Sequence, residues 1–385
     1  MTEKYTKWTS VWGNAISIRM RRPENYGRHL TLRYPVTMLL NGDALRITLD
    51  NFCGNEPVTV SYVTVARVEE RSTVALSSIR RLTFDGSETV TIQPGERVQS
   101  DALPYRIERG EQLAVSLYFA DFTELRSAVS ITGPLSGGYF ATGDYADCPE
   151  LPEDLSNKTN VYYFLSDIEV QATEESRTII CYGDSITAQA WPDFLMKRLL
   201  RQENGHTAAV RKAASGTRIL RQYDCITYDS YGLKGATRFP HEIEVAGADT
   251  VIIQHGINDI IHPVGTDVNP FRPWSDLPTA EDMIDGLRRY IALAKDRRLK
   301  VYLGTLLPIE GWRTYAPFRD DLRNAVNDWM RTTKEADGCI DFDAAVRDPA
   351  RPSAFAKGFD SGDHLHPSMA AYQRMAEAVP EALLR

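Results

Sequence analysis

A serine, an aspartate and a histidine in the second half of the sequence have the side chains that acyl transfer requires. Ser185 follows a short apolar run, and Asp363 and His366 stand three positions apart near the C-terminus. A histidine beside a serine hydroxyl can remove its proton, and an aspartate on the other ring nitrogen can fix the tautomer and orientation of the imidazole. These three residues therefore form a candidate catalytic triad with Ser185 as the nucleophile.

Two further residues could stabilise the negative charge that develops on a carbonyl oxygen under attack. Gly216 can bring a bare backbone N–H close to a substrate, and the side-chain amide of Asn258 supplies another donor. The backbone N–H of the nucleophile itself is a third donor. We therefore expect an oxyanion hole formed by Ser185, Gly216 and Asn258.

Each of these residues also has a simpler interpretation. Ser185 or Asp184 could cap a following helix, and Asn258 could be an ordinary turn residue. His364, His366 and the nearby aspartate could bind zinc, since imidazole and carboxylate suit that ion. However, side chains two positions apart converge poorly on one ion outside a strand, and the sequence has no second cluster of comparable quality. We therefore predict no metal site and no cofactor.

The pattern after about residue 177 predicts the elements that position these side chains. Short apolar runs alternate with amphipathic stretches, which is typical of a parallel sheet with helices on both faces. Predicted strands are 178–182, 208–210, 250–254, 301–306 and 340–342, and predicted helices lie near 191–201, 280–295, 320–333 and 368–384. Ligands bind beyond the carboxyl ends of such strands, where the candidate residues fall.

The first half of the sequence has a different periodicity. From about residue 30 to residue 170 the apolar residues alternate with polar ones, and the runs are separated by turns such as Asn41-Gly42-Asp43. This pattern predicts a β-sandwich whose last strand covers about 161–170. Because residues 171–177 are polar and lack a β pattern, we place the domain boundary there, giving domains 1–173 and 174–385.

Four motifs surround the candidate residues: Gly183-Asp184-Ser185, Ser215-Gly216-Thr217, the Gly-x-Asn-Asp motif Gly256-Ile257-Asn258-Asp259, and the C-terminal motif Asp363-His364-Leu365-His366-Pro367. From about residue 177 to the C-terminus, these motifs resemble those of the SGNH, or GDSL-type, hydrolase family. The resemblance implies a three-layer α/β/α, flavodoxin-like domain with a parallel five-stranded sheet, preceded here by an all-β, jelly-roll-like sandwich. By this resemblance, Ser185 is the nucleophile. Gly216 and Asn258 are the oxyanion donors, and Asp363 and His366 complete the triad. Two positions depart from the family pattern. Ile186 replaces a leucine, and Arg211 replaces the asparagine of many members, which weakens the Gly216 assignment.

Composition limits the partners and the cellular location. The 385-residue chain is 43% hydrophobic and 25% charged, with a formal net charge of -8, so its charge gives no reason to approach nucleic acid or anionic lipid. Five widely spaced cysteines without a C-x-x-C pair argue against disulfides or a zinc knuckle, and we expect reduced, mostly buried thiols. No apolar run resembling a signal peptide or anchor is visible, so we expect a cytoplasmic protein.

Two long stretches flank the expected site and could contact the substrate. Residues 262–278 are rich in proline and aromatic residues, and 224–240 form a second loop on the same edge. Arg218, Arg221, Trp274 and Trp312 are the candidate substrate contacts. Each of the arginines could equally be an ordinary solvated side chain.

Within the family that the motifs resemble, short acyl groups on carbohydrates are frequent substrates. The sequence therefore leads us to expect hydrolysis of a short, acetyl-type ester, with a small-molecule or oligosaccharide substrate and an acyl-enzyme on the serine. Three rivals stay open: an acyltransferase that uses the same triad, a non-catalytic carbohydrate-binding protein with a vestigial site, and a metal-dependent phosphoesterase. The N-terminal sandwich could bind carbohydrate or complete the pocket.

Overall fold

The computed structural model describes residues 4–19, 26–203, 205–223, 225 and 227–385. The chain divides into two compact units. The first comprises Met1–Thr178, Leu199–Val210 and Val245–Gly247, and the second comprises Ile179–Arg198, Arg211–Glu244 and Ala248–Arg385. The boundary between residues 173 and 174 stays a prediction.

The described part of the N-terminal region is built from β-strands, as its alternating pattern predicts. The strands are β1 (Lys7–Gly13), β2 (Ser17–Ile18), β3 (Tyr26–Gly27), β4 (Leu30–Thr37), β5 (Gly42–Asp50), β6 (Val58–Val60), β7 (Tyr62–Glu70), β8 (Thr73–Val74), β9 (Arg80–Leu82), β10 (Val90–Ile92), β11 (Arg97–Gln99), β12 (Leu103–Ile107), β13 (Gln112–Phe119), β14 (Thr123–Glu124), β15 (Ser127–Ser130), β16 (Gly138–Thr142), β17 (Ser156–Thr159), β18 (Val161–Tyr163) and β19 (Leu165–Ala172). The predicted strand at 161–170 is two strands, interrupted at Phe164, where φ is +61°.

These strands pair antiparallel in two main sheets. One has the order β1-β19-β5-β11 with β12 also on β5, and the other has the order β17-β16-β4-β13-β7-β8 with β9 also on β7. Inward-facing residues such as Ile47, Leu49, Val63 and Leu117 are almost wholly buried, which supplies the apolar contribution to folding. The region is thus β-rich, and its jelly-roll-like topology stays a prediction.

The remaining strands form a five-stranded sheet within the described residues. They are β20 (Arg177–Gly183), β21 (Thr207–Ala213), β22 (Ala248–Gln254), β23 (Lys300–Gly304) and β24 (Gly338–Ile340). Their order is β21-β20-β22-β23-β24, and β22, β23 and β24 pair parallel. This is the strand order of flavodoxin-like sheets. The five predicted strands are therefore present, whereas the three-layer arrangement stays a prediction.

The helices are α1 (Ser185–Ala188), α2 (Trp191–Leu200), α3 (Gly235–Glu242), α4 (Ile257–Ile261), α5 (Ala280–Asp296), α6 (Pro317–Thr332), α7 (Phe342–Val346) and α8 (Met369–Ala378). Several predicted boundaries were wrong. The strand predicted at 301–306 ends at Gly304, and the strand predicted at 208–210 extends over Thr207–Ala213. Phe342 begins α7 instead of ending a strand, because the Asp341 side chain caps the helix by accepting from the Ala344 N–H. The C-terminal helix ends at Ala378, before Pro380, and does not continue to residue 384.

Helix α3 corrects the prediction of a continuous loop over 224–240, of which positions 224 and 226 lie outside the described residues. Pro240 lies inside the helix and cannot donate a backbone hydrogen bond, which disfavours a helix at this position. Packing outweighs that cost, because the Phe239 ring lies 4.3 Å from the Tyr290 ring and 4.8 Å from the Tyr182 ring. None of the helices in the described ranges is long and apolar enough to cross a membrane.

All five cysteines lie in the described residues and are free thiols. Cys53 and Cys181 are buried, and the other three are only partly buried. The expectation that most of the thiols are buried is wrong.

Candidate active site

Ser185 lies at the carboxyl end of β20, as the first residue of α1, and is partly exposed. The turn before it needs a glycine, because a Cβ at Gly183 would lie 2.3 Å from the Gln254 carbonyl oxygen. Asp184 caps α1, with its Oδ1 accepting from the Ile186 N–H at 3.1 Å. The cap and the glycine together present the serine hydroxyl at the edge of the sheet.

The three predicted triad side chains form one hydrogen-bonded array. His366 Nε2 lies 2.9 Å from Ser185 Oγ, and His366 Nδ1 lies 2.6 Å from Asp363 Oδ2. A neutral imidazole in this position holds its proton on Nδ1 and offers Nε2 to the serine hydroxyl. The array therefore has the geometry of a serine, its general base and the carboxylate that orients the base.

The Asp363 carboxylate is held in place by groups that lie within three residues of it in the chain. Its Oδ1 accepts from the Leu365 N–H at 3.0 Å and from the His366 N–H at 2.8 Å, and Ser361 Oγ lies 3.2 Å away. Partial burial acts to raise the pKa of Asp363, but the hydrogen bonds from His366 and Leu365 outweigh it and hold the pKa at about 2. Asp363 is therefore a carboxylate at any pH above about 4.

The predicted oxyanion donors lie on neighbouring turns. Gly216 has a φ of +79°, and a Cβ there would lie 2.5 Å from the Tyr231 ring, so the position requires glycine. Asn258 is 3% exposed, and one of its amide hydrogens goes to the Thr217 carbonyl at 3.0 Å. Within the described part of the chain, the backbone N–H groups of Ser185 and Gly216 donate no hydrogen bond. These groups can therefore receive an anionic oxygen.

Asp259 ties the two oxyanion turns together, a role the sequence did not reveal. Its carboxylate accepts from the Ile219 N–H at 2.8 Å and from the Leu220 N–H at 3.1 Å. Burial raises the pKa of Asp259 to about 6 in spite of these two hydrogen bonds. The aspartate of the Gly-x-Asn-Asp motif was the only sequence signal for this link.

A buried polar network supports Thr217, which follows Gly216. Thr217 Oγ1 donates to the Ala214 carbonyl at 2.8 Å, accepts from Arg238 at 2.8 Å, and lies 3.1 Å from His255 Nε2. His255 Nδ1 lies 3.1 Å from the Tyr290 hydroxyl. Burial lowers the pKa of His255 to about 3, so the ring is neutral and can donate through Nε2 while accepting through Nδ1.

Comparison with known protein families identifies the chain's relationships. Residues 181–374, just over half of the chain, match the model of the GDSL-like lipase/acylhydrolase family. The chain belongs to this family. It is therefore a carboxylic ester hydrolase, and the resemblance that the motifs indicated is confirmed. No curated protein sequence matches the chain closely enough to count as a relative.

Several solved structures are similar to about half of this chain. They include a GDSL-like lipase from Bacteroides thetaiotaomicron, with 16% identity, a TM-score of 0.37 and coverage of 56% of this chain and 91% of the lipase. An acetylxylan esterase from Geobacillus stearothermophilus has 18% identity, a TM-score of 0.39 and coverage of 52% and 91%. A hydrolase from the metagenome of Lake Arreo has 18% identity, a TM-score of 0.41 and coverage of 54% and 96%.

An aromatic cluster packs beside the oxyanion turn of the acylhydrolase. The Tyr231 ring, which contacts the Gly216 backbone, stacks on His262 at 5.0 Å and on Tyr228 at 5.5 Å. Burial lowers the pKa of His262 well below its ordinary value, so that ring is neutral. The cluster fixes the shape of one side of the site. In the sequence, the only indication of it was the high density of aromatic residues in stretches 224–240 and 262–278.

The four predicted substrate contacts lie in different environments. Arg218 is buried, with its guanidinium 4.0 Å from the Tyr223 ring centroid, whereas Arg221 is 57% exposed and 3.3 Å from Asp276. Trp274 is half exposed, and Trp312 is partly buried. Contact of these four side chains with a substrate stays a prediction.

A cleft of about 760 Å³ is lined in part by Leu220–Tyr223, the segment that begins three residues after Thr217, and its described lining includes none of the candidate triad or oxyanion residues. Its lining includes Leu220, whose backbone N–H is held by Asp259, together with Arg221, Lys234, Phe271 and others. This lining mixes charged, amide, hydroxyl and aromatic groups. It can therefore contact a polar molecule with several hydrogen-bonding groups.

The other histidine of the C-terminal motif, His364, pairs with a different carboxylate. His364 Nδ1 pairs with Asp360, and its ring packs against Gly311, whose φ is +97°. Among the described residues, no group of three or more histidines, cysteines and acidic residues is arranged to hold a metal ion. His364 therefore belongs to a separate Asp–His pair beside the triad.

Proposed function

We propose that the protein hydrolyses short-chain acyl esters of carbohydrates, with acetyl as the acyl group, through an acyl-enzyme on Ser185. The observation that carries this proposal is the hydrogen-bonded array of Ser185, His366 and Asp363 at the edge of the sheet. The family membership supports ester hydrolysis, and the array supplies a chemical route to it. The route needs no group other than side chains, backbone amides and water.

In the acylation step, Ser185 Oγ attacks the ester carbonyl carbon while His366 Nε2 takes the hydroxyl proton. The carbonyl oxygen becomes an oxyanion, which the N–H groups of Ser185 and Gly216 and the free amide hydrogen of Asn258 stabilise. Asp363 stays a carboxylate and stabilises the imidazolium. The C–O bond to the alcohol then breaks, His366 returns the proton to the alcohol oxygen, and the acyl group remains on the serine.

In the deacylation step, water takes the place of the alcohol. His366 removes a proton from the water as its oxygen attacks the acyl carbon, and the same donors stabilise the second oxyanion. The C–O bond to Ser185 breaks, the serine oxygen takes the proton back from His366, and the carboxylic acid leaves. An acyltransferase would differ only in that an acceptor alcohol replaces this water.

We assign the alcohol part of the substrate to the polar cleft lined by Leu220 and Arg221, whose lining suits a hydroxylated leaving group. Arg221, Gln222, Lys234 and Asp276 offer donors and acceptors along its wall, and Phe271 offers an aromatic face. The hydroxyl groups of a sugar ring can form hydrogen bonds with the polar side chains, and its C–H groups can pack against the aromatic face. A long alkyl chain would displace water from the polar wall of the cleft without replacing the hydrogen bonds of that water.

The substrate class can be tested with matched esters. We expect kcat/KM for acetylated mono- and oligosaccharides to exceed that for p-nitrophenyl esters, and to fall as the p-nitrophenyl acyl chain is lengthened from acetyl to octanoyl. Adding a panel of free sugars to the acetyl-enzyme distinguishes hydrolysis from transfer by the ratio of acetate to acetylated sugar. A preference for octanoyl over acetyl would contradict the short-acyl proposal, and dominant transfer would favour the acyltransferase.

A further inference from the structure

A cleft of about 530 Å³ lies on one face of the N-terminal sheet that contains β4, β13, β16 and β17. Lys158 and Tyr139 stand opposite each other on β17 and β16, and Tyr139 stands opposite Arg33 on β4. Residues directly opposite each other on neighbouring strands lie on the same face of a sheet, and so do residues two apart on one strand. Pro35, two residues after Arg33, therefore lies on the same face as Tyr139 and Lys158. The lining residues that matter below are Arg71, Gln112, Tyr139, Lys158 and Asn160, and we name the site the Arg71–Lys158 cleft.

The cleft is cationic in a chain whose net charge is -8. None of the residues that line it in the described structure is acidic. Lys158 has no acidic partner among the described residues. Arg71 is 3.8 Å from Glu70, but both side chains are more than three-quarters exposed, and such pairs contribute only about 0–1 kcal/mol. The two cations therefore leave a positive potential that suits an anionic group.

Arg71 is held on a tight turn between β7 and β8. Its φ is +53°, a left-handed conformation that costs a residue other than glycine about 1–2 kcal/mol. The next residue, Ser72, is fixed because its carbonyl accepts from the buried Arg33 at 2.8 Å. Glycine or asparagine would suit this turn better, so the arginine is consistent with a binding role for its side chain.

The rest of the lining suits a sugar ring. Tyr139 is partly exposed and offers a flat apolar face, against which the C–H groups of a pyranose can stack. The side chains of Gln112 and Asn160 can exchange hydrogen bonds with hydroxyl groups, since Gln112 uses only its Nε2, at 3.4 Å from Thr37 Oγ1. A ligand with a carboxylate on a hydroxylated ring can pair with the two cations and form hydrogen bonds with the two side-chain amides.

We propose that the Arg71–Lys158 cleft binds an acidic oligosaccharide, with Arg71 and Lys158 on a uronate carboxylate and Tyr139 stacked on a sugar ring. The cleft lies within the N-terminal unit and uses none of the triad residues. It would give the acylhydrolase an affinity for uronic acid-containing glycans that is independent of the chemistry at Ser185.

The test is calorimetric titration of the full-length Ser185→Ala protein with trigalacturonate and with its methyl ester, which is the neutral form of the same chain. The Ser185→Ala background prevents ester cleavage during the titration. We expect the acid form to bind about tenfold more tightly than the methyl ester, because only the acid carries charge. Raising NaCl from about 0.05 M to about 0.5 M should weaken binding of the acid form only.

Two double variants locate the binding site. Arg71→Ala/Lys158→Ala should weaken trigalacturonate binding about tenfold or more, whereas Lys4→Ala/Arg106→Ala removes the same charge from exposed positions elsewhere in the unit and should not. Equal affinities for acid and ester, or equal affinities for the two double variants, would overturn the proposal. With Ser185 restored, Arg71→Ala/Lys158→Ala should hydrolyse p-nitrophenyl acetate at the wild-type rate, so failure of this proposal and failure of the proposed function are distinguishable.

Discussion

The loop that carries Asp363 and His366 differs from the turn that carries Asn258 and Asp259 in burial and in the range of its hydrogen bonds. The side chains of Asp363 and His366 are 42% and 22% exposed, and Asp363 is held by amides two and three residues away. Asn258 and Asp259 are 3% and 2% exposed, and their partners are about 40 residues away. The proposed acid–base part is thus local and exposed, and the proposed oxyanion part is long-range and buried.

The difference follows from what each part must do. Donors to an oxyanion are most effective when they are fixed and shielded from water before the charge develops, so burial and long-range anchoring favour them. A histidine that exchanges protons with a leaving alcohol and with water needs access to both. We expect substitutions in the exposed loop to act on proton transfer, and substitutions in the buried turn to act on charge stabilisation and on folding.

The largest effect should come from removing the nucleophile or its base. Ser185→Ala and His366→Ala should each lower kcat for p-nitrophenyl acetate by roughly 10⁶-fold, and the double variant should be no worse, because the two residues act as a unit. Steady-state kinetics, with Ser77→Ala as a matched control at an exposed serine, checks this. Additive losses in the double variant would contradict the triad.

Asp363→Asn should be the next most damaging change. The amide cannot hold the imidazole in the same tautomer or stabilise its positive charge, and we expect kcat to fall about 10⁴-fold. Activity should stay measurable above that of the Ser185→Ala variant, because the oxyanion donors are untouched. Loss equal to that of Ser185→Ala would mean that the exposed loop does more than orient the base.

A smaller effect on catalysis is expected from the buried turn. Asn258→Ala should lower kcat by about 10²–10³-fold and leave KM nearly unchanged, since the amide contacts the oxyanion and not the ground-state ester. Asn157→Ala, at an exposed position in β17, is the control. A rise in KM with unchanged kcat would show that Asn258 binds substrate instead of stabilising the oxyanion.

The smallest effect concerns the pH dependence of stability, where the exposed Asp363 and the buried Asp184, which caps α1, should have opposite signs. Burial raises the pKa of Asp184 to about 7, so its ionisation destabilises the fold as pH rises from about 4 to 8. Asp184→Asn should therefore become more stable than wild type over that range, by up to about 4 kcal/mol. Asp363, with a pKa of about 2, stabilises the fold above pH 4 and loses this contribution as pH falls towards 2.

Thermal unfolding of wild type, Asp184→Asn and Asp363→Asn between pH 2 and pH 8 measures both effects. Asp184→Asn should gain on wild type as pH rises, and Asp363→Asn should approach wild type as pH falls below 4. Curves that stay parallel to wild type at every pH would show that neither carboxyl is perturbed in the folded protein.

The exposed loop could be predicted from the sequence far better than the buried turn. Asp363 and His366 contact each other because they lie only three positions apart in the chain, so their spacing already indicated the pair. The link from Asp259 to Ile219 and Leu220 depends on how two turns meet in the folded sheet, and no local pattern encodes it. The same holds for Arg238 and His255 under Thr217, and for α3, where packing of Phe239 outweighs Pro240.

The central claim is that Ser185 is the nucleophile, and a fluorophosphonate probe tests it most directly. The folded protein should form one covalent adduct, which peptide mass spectrometry places on Ser185, and Ser185→Ala should form none. Labelling should also fall strongly in His366→Ala, because the serine needs its base. Active wild-type protein that shows no adduct on Ser185 would contradict the account.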